Sequence, residues 1–238
     1  MIYDIPVYYI SFSKQHSLEQ NLHDVGFNKI HHFKAIDGRK LCPDKLVSNE
    51  QISIRTYNDI KTGRRQHSGI PGMGAIGCTM SHAKLWKKCV DDNLDYIVIA
   101  EQDLKLNTIS KSQLNKINKI LQKQNSIFVS PLGKVEKNTI TNFWGLHFYI
   151  ASNGACRELI KNVYPIDVQT DAYISHLDTT RRIHVDGFKV GTQKKHVSDI
   201  QDMCIKCMLP HKTHRFVLIF ILIIILLLLY KDLYAKKK

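Results

Sequence analysis

Tyr96-Ile97-Val98-Ile99-Ala100-Glu101-Gln102-Asp103 is the stretch from which the rest of the chain can be read. Its apolar, β-branched run predicts a strand buried on both faces of a mainly parallel sheet. The run stops abruptly at two carboxylates, which then project from the strand's carboxyl end. In open α/β sheets, ligands bind just beyond that end. Two acids there need a partner, because an unpaired carboxylate in a half-buried site either takes up a proton or finds a cation. A hard divalent cation carrying a phosphate ester suits them, since Mg²⁺ and Mn²⁺ choose oxygen ligands.

On the N-terminal side, Val7-Tyr8-Tyr9-Ile10-Ser11-Phe12 reads as a first strand. A helix through Leu18, Leu22 and Val25 follows, with Ser17 as its expected cap and Gly26 as its stop. Ile30 to Ile36 gives a second strand closed by Asp37-Gly38, which completes a β-α-β unit. Residues 39–73 are polar and rich in glycine and proline, and are expected to form an irregular functional flap. Within them Arg64-Arg65 reads first as a solvated surface pair and second as a phosphate contact. Gly74 to Asp91 has helical spacing in Ile76, Met80, Ala83, Trp86 and Val90 and leads into the 96–100 strand. Further along, a helix is expected over 112–122, strands over 127–129 and 146–151, and a helix from Asn153. A last segment opened by Pro165 carries Asp167, Asp171 and Asp178.

The 238 residues suffice for one α/β domain with a filled core, and the composition is that of a folded protein. The net charge of +13 is uneven: seven basic residues and one acid, Asp232, lie from residue 206 onward. A moderately basic body suits an anionic ligand such as a nucleotide-sugar, or an anionic membrane surface. Nucleic acid is not expected, because the basic residues are scattered and no zinc-finger, RNA-binding or basic-helix signature occurs. Met1-Ile2-Tyr3-Asp4 lacks a basic start and a long apolar run, so no secretory leader is expected. The six cysteines form no dense framework, and a reducing compartment with free thiols is the expectation.

Phe216 to Tyr230 is an unbroken apolar run of fifteen residues. As a helix it spans roughly 22 Å, short of a hydrocarbon core of ~30 Å. Extension to 234, with Lys231 snorkelling, closes most of that gap, whereas a core helix would keep a polar face. A single-pass C-terminal anchor over 216–234 is therefore expected, with a basic tail to 238, in an ER/Golgi-type or viral/host membrane. Residues 1–203 would form the globular domain and 204–215 a juxtamembrane linker. In that linker Cys204, Cys207, His211 and His214 leave three readings open: free thiols, palmitoylation, or a cramped zinc site.

Four segments in order resemble glycosyltransferase family 25. They are Phe33-Lys34-Ala35-Ile36-Asp37-Gly38, Gly77-Cys78-Thr79-Met80-Ser81-His82-Ala83-Lys84-Leu85-Trp86, the Ile97–Asp103 strand end, and Tyr149-Ile150-Ala151-Ser152-Asn153-Gly154-Ala155. Asp171 matches a later aspartate of the family. The resemblance covers roughly residues 5–190. It implies a GT-A-like, Rossmann-type α/β fold with a mainly parallel sheet flanked by helices, here joined to the C-terminal transmembrane helix.

The resemblance further implies inverting, metal-assisted transfer of a hexose, galactose first and glucose second, from a UDP-sugar to a glycan or protein acceptor. Mn²⁺ (or Mg²⁺) would bridge the diphosphate and Asp103, with Glu101 in the metal shell or on the ribose. Asp37 and Gly38 would border the uridine, Ser81 and His82 the donor or acceptor, and Asp171 would be the general base. Read without the family, His82 is as well a packed helix residue, Asp37 a turn former and Asp171 an exposed helical acid. Where the family has Asp in the middle of the acidic motif, this chain has Gln102, which is neutral. A non-catalytic relative that binds a sugar, nucleotide or protein at a membrane is therefore the alternative.

Overall fold

The computed structural model describes residues 2–64, 66, 68–131, 143 and 145–193, all within the first of two compact units, Met1–Asp202. Five-residue strand β1 (Val7–Ser11) is followed by α1 (His16–Val25), β2 (Ile30–Lys34) and a 3₁₀ turn over Gly38–Lys40. Then come α2 (Pro43–Ser48), α3 (Ile54–Thr62), α4 (Met73–Asp91), β3 (Tyr96–Glu101) and β4 (Leu104–Leu106). The remainder is α5 (Lys111–Leu121), β5 (Ser126–Val129), β6 (Phe148–Ser152), α6 (Asn153–Lys161), α7 (Thr170–Thr179), β7 (His184–Gly187) and β8 (Gly191–Gln193).

Six strands form the central sheet in the order β2-β1-β3-β6-β5-β7. Pairs β1–β2, β1–β3 and β5–β7 are parallel, and β6 alone in this sheet runs against its neighbours β3 and β5. The register sets Ile10 beside Glu101 on one side of β3 and Phe148 beside Ala100 on the other. The ends of β1, β2 and β3 thus form one rim. β4 and β8 form a separate two-stranded ribbon just past it.

The strand 96–101 is buried on both faces, and its side chains divide between two cores. Ile97 and Ile99 pack with Trp86 and Cys89 of α4, Leu159 of α6 and Ile174 of α7. Val98 and Ala100 pack with Leu18 and Leu22 of α1 and Ile117 and Leu121 of α5. This two-sided burial explains the continuous apolar run, because a strand with one wet face would alternate.

The mostly parallel sheet, with β6 as its antiparallel member, fits the expected α/β architecture. The expected membrane helix is what requires correction. Among the described residues no helix is long and apolar enough to cross a membrane. The proposed anchor over 216–234 and the cysteine-histidine linker lie outside the described residues. Ser17 is not the cap of α1, which starts one residue earlier with Gln15 at its boundary; Gly26 does end it, at φ 114°. Residues 39–73 are not irregular throughout. They hold α2 and α3, with Pro43 opening the first and the Ser53 hydroxyl capping the second. Helices of six and nine residues are too short to show periodicity against a polar background. Leu46 of α2 and Ile52, between the two helices, join Ile70, Ile76, Met80 and Ile166 in a third core. Arg64 is buried rather than solvated, and Arg65 lies outside the described residues.

Candidate functional site

The rim of β3 is assembled from two close backbone approaches. A Cβ on Gly77 would lie 2.3 Å from the Ile36 carbonyl oxygen and 2.5 Å from the Gly38 nitrogen. A Cβ on Gly38 would lie 1.7 Å from the Met73 carbonyl oxygen. The Asp37-Gly38 turn therefore lies directly on the first turns of α4, and neither position can carry a side chain. Ser81 completes this junction. It is fully buried, accepts from the Ile36 N–H at 2.9 Å and donates to the Gly77 carbonyl at 2.7 Å. Its hydroxyl is engaged with backbone, and Ser81 thereby holds the turn. Asp37 accepts from the Arg39 backbone and side chain, at 3.2 and 2.8 Å, and that guanidinium holds its carboxyl below the usual range. Arg39 in turn lies over the Phe12 ring, 5.3 Å from its centroid.

Next along α4, Cys78 and His82 turn toward Glu101. The Cys78 Sγ is 3.9 Å and the His82 Nε2 is 3.3 Å from Glu101 Oε1. Glu101 Oε2 lies 3.0 Å from His147 Nδ1, which is also 3.1 Å from Asp103 Oδ1. Gln193 of β8 donates to Asp103 Oδ2 at 2.7 Å. Burial by itself would raise the Glu101 carboxyl, but hydrogen bonds and charge from His147 and His82 outweigh it and bring it down to about 2. Burial would likewise lower His147, yet Asp103 and Glu101 push it up to about 10. The imidazolium thus supplies the positive charge between the two acids.

Behind Glu101, His82 has no solvent exposure. Its Nδ1 meets the Tyr149 hydroxyl at 2.9 Å, and that oxygen accepts from Trp86 Nε1 at 2.8 Å. With the Nε2 proton given to Glu101, the Tyr149 hydroxyl is the donor to Nδ1, and every member of the series is satisfied. His82 is therefore held from behind by Tyr149 and meets Glu101 from the buried side. Asp171, in the first turn of α7, accepts from the Gly145 N–H at 3.1 Å and the Ala172 N–H at 2.8 Å. Burial first, then the charges of Glu101, Asp171 and Asp103, push the Cys78 thiol well up, so all three acids act on one place.

The structure thus unites Glu101, Asp103 and His82, sets Asp171 near them, and holds Gly38 and Ser81 in the supporting junction. Asp37 is linked to the acids through that junction. Sequence reasoning missed His147, Tyr149 and Gln193 as site residues. The antiparallel pairing of β3 with β6 brings the first two in, with the Glu101 N–H on the His147 carbonyl at 2.9 Å. No spacing within either strand announces that partnership.

The donor set fits a hard cation. Donor atoms of Glu101, Asp103 and His147 lie within 4.8 Å of one another. The two measured carboxylate–imidazole separations of 3.0 and 3.1 Å match the about 3.0 Å between neighbouring ligands of an octahedral ion with bonds of about 2.1 Å. His147 is buried, and its Nε2 has no hydrogen-bond partner among the described residues. Two oxygens and one imidazole nitrogen are a set that Mn²⁺ accepts more readily than Mg²⁺.

The chain is similar in sequence to known proteins. Lipooligosaccharide biosynthesis protein lex-1 of Haemophilus influenzae is 29% identical over 147 residues, covering 52% of this chain and 48% of that protein. A glycosyltransferase 25 family member of Aedes aegypti is 27% identical over 104 residues, covering 44% of this chain and 16% of its own length. The chain thus spans less than half the length of these curated relatives. Among solved structures, A197 from STIV aligns with 84% of this chain and 99% of its own at a TM-score of 0.46 and 9% identity. The family model described as glycosyltransferase family 25 (LPS biosynthesis protein) matches residues 5–138, which include the Asp37-Gly38 turn, the Gly77–Trp86 helix and the acidic strand end. On that match, this chain belongs to glycosyltransferase family 25.

Proposed function

We propose that this domain is a glycosyltransferase that moves a hexose, galactose before glucose, from a UDP-sugar to a hydroxyl of a glycan or protein acceptor with inversion. The observation that carries the reading is the convergence of Glu101, Asp103 and His147 on one cation-sized position at the carboxyl end of β3. Bound there, Mn²⁺ or Mg²⁺ would offset the charge that develops on the departing diphosphate. Asp103 and Glu101 are the carboxylates that would hold it, with His147 as the nitrogen ligand once its proton has left. His82 and Gln193 keep the two acids aimed.

Asp171 is the base in this reading. The Gly145 and Ala172 N–H groups fix its carboxylate. From that position it takes the proton of the acceptor hydroxyl as oxygen attacks the anomeric carbon from the face opposite the leaving group. The exposed Phe12 ring and the Asp37-Arg39 turn, at the adjacent strand ends, are the surface on which the uridine would lie.

Calorimetric titration of UDP with and without Mn²⁺, followed by turnover of a UDP-sugar panel, tests the reading. Binding that needs Mn²⁺ and disappears in Asp103→Asn, with the fold intact, is the expected result. Metal-independent binding, or unchanged affinity in that variant, removes the assignment. Gln102 favours one second reading, a binding module without turnover, because a neutral residue lowers the negative charge available to the cation. Mn²⁺-dependent UDP binding with no product from any donor would select it.

A further inference from the structure

Glu101 divides its two oxygens between two sets of donors. Oε2 faces His147 and, across it, Asp103; Oε1 faces Cys78 and His82. The second set contains a sulfur and an imidazole nitrogen, and its donor atoms also lie within 4.8 Å of one another. We propose that Cys78, His82 and Glu101 form a binding site for a borderline-soft divalent cation, zinc above all, separate from the hard-cation set and sharing Glu101 with it.

The separations support this. A tetrahedral zinc with bonds of about 2.0 Å to oxygen and nitrogen and about 2.3 Å to sulfur sets its nitrogen and oxygen donors about 3.3 Å apart, and sulfur and oxygen about 3.5 Å apart. The observed spacings are 3.3 Å for His82 Nε2 to Glu101 Oε1 and 3.9 Å for Cys78 Sγ to the same oxygen. Shifting the cysteine by a few tenths of an ångström completes three corners of the tetrahedron. Water on the open side of Glu101 fills the fourth.

The surroundings of His82 match those of a metal-bound histidine, whose other ring nitrogen is held by an outer partner. On binding, the Nε2 proton relocates to Nδ1, where the Tyr149 oxygen accepts it while still accepting from Trp86. The thiol proton of Cys78 leaves to solvent, and sulfur binds as thiolate. Thiolate favours zinc over Mg²⁺ or Mn²⁺, so the two sets differ in the ion each selects. Because both draw on one carboxylate, each ion weakens the other by the same factor. That antagonism bears on the transferase reading and rests on it.

Co²⁺ replaces zinc as a visible probe. The full chain carrying Cys42→Ser, Cys204→Ser and Cys207→Ser is titrated with Co²⁺ in the absence of nucleotide, then with zinc. The expected result is a sulfur-to-cobalt charge-transfer band that zinc displaces, that Cys78→Ser abolishes with circular dichroism unchanged, and that Glu101→Gln weakens by about tenfold or more. Should Cys78→Ser unfold, Cys78→Ala, well tolerated in a helix, carries the same reading. No band in the parent, or a band that survives loss of Cys78, overturns the site. Zinc is also expected to weaken Mn²⁺-dependent UDP binding; a zinc-bound protein with unaltered UDP affinity overturns the sharing of Glu101. Absence of UDP binding before zinc is added counts against the transferase reading alone, since the cobalt band is read without nucleotide.

Discussion

Tyr149→Phe removes one oxygen and little volume, and the structure fixes what that loss should cost. The hydroxyl accepts from Trp86 Nε1 at 2.8 Å and bonds His82 Nδ1 at 2.9 Å, and both partners are fully buried. Each becomes a buried polar group without a partner, at about 1–3 kcal/mol apiece. Because the two share one hydroxyl and can relax together, a total of about 2–4 kcal/mol is expected. For a body of this size that is a fall of about 5–15 °C in Tm. Calorimetry or urea unfolding measures it, with Tyr57→Phe as control. The Tyr57 hydroxyl bonds Asp44 on the exposed surface, and its loss should stay within about 0.5 kcal/mol. The same variant frees the His82 ring, so the aim of Glu101 loosens and Mn²⁺ affinity should fall about tenfold. A Tyr149→Phe protein as stable as the parent would refute the view that the hydroxyl joins α4 to β6 and supports Glu101.

Gly77→Ala would ordinarily help a helix, yet its Cβ meets backbone at 2.3 and 2.5 Å, so a net destabilisation of about 1–3 kcal/mol is expected in urea unfolding. A more stable variant would show that the turn can move off α4. Stability without metal should peak between the ordinary Glu and His ranges. Burial opposes, but His147 and His82 prevail in holding Glu101 at about 2, so its contribution is complete above about 4.5 and lost as pH falls through about 2. His147, at about 10, contributes fully below about 6.5 and loses that contribution as pH rises through about 10. In His147→Gln the alkaline decline of Tm between about pH 6.5 and 10 should flatten, and an unaltered slope would remove His147 from the charge balance. Asp171→Asn should lower kcat by about 10²–10⁴ and leave the donor KM unchanged; a loss below tenfold would take the base role from Asp171.

Much of the scaffold was legible because its signals are local. In the β-α-β start, α1 ends at Gly26 as its position suggested, and α4 and β3 lie within a residue of their expected spans. Residues 39–73 were misread for the opposite reason. Their helices are held by Leu46, Ile52 and Ile70 packing on Ile76 and Met80, contacts that no window along the chain contains. The antiparallel course of β6 was equally out of reach, since a buried strand reads alike in either direction.

The site divides along the same line. Sequence alone put Glu101 and Asp103 at the end of a buried strand, because only there does an apolar run stop in two acids, and its ordered motifs pointed to the family. Two of those motifs turn out to be one object, since Gly38 and Gly77 are glycines for a single backbone contact and Ser81 fastens the same turn. What the tertiary structure alone decided is the charge balance. His147 comes from the residue just before the strand paired with β3 to stand between the acids, and Tyr149 from that strand orients His82 behind them. Pairing across a sheet joins residues with no fixed separation in the chain, so the cation that answers these carboxylates could be found only after the strands had met.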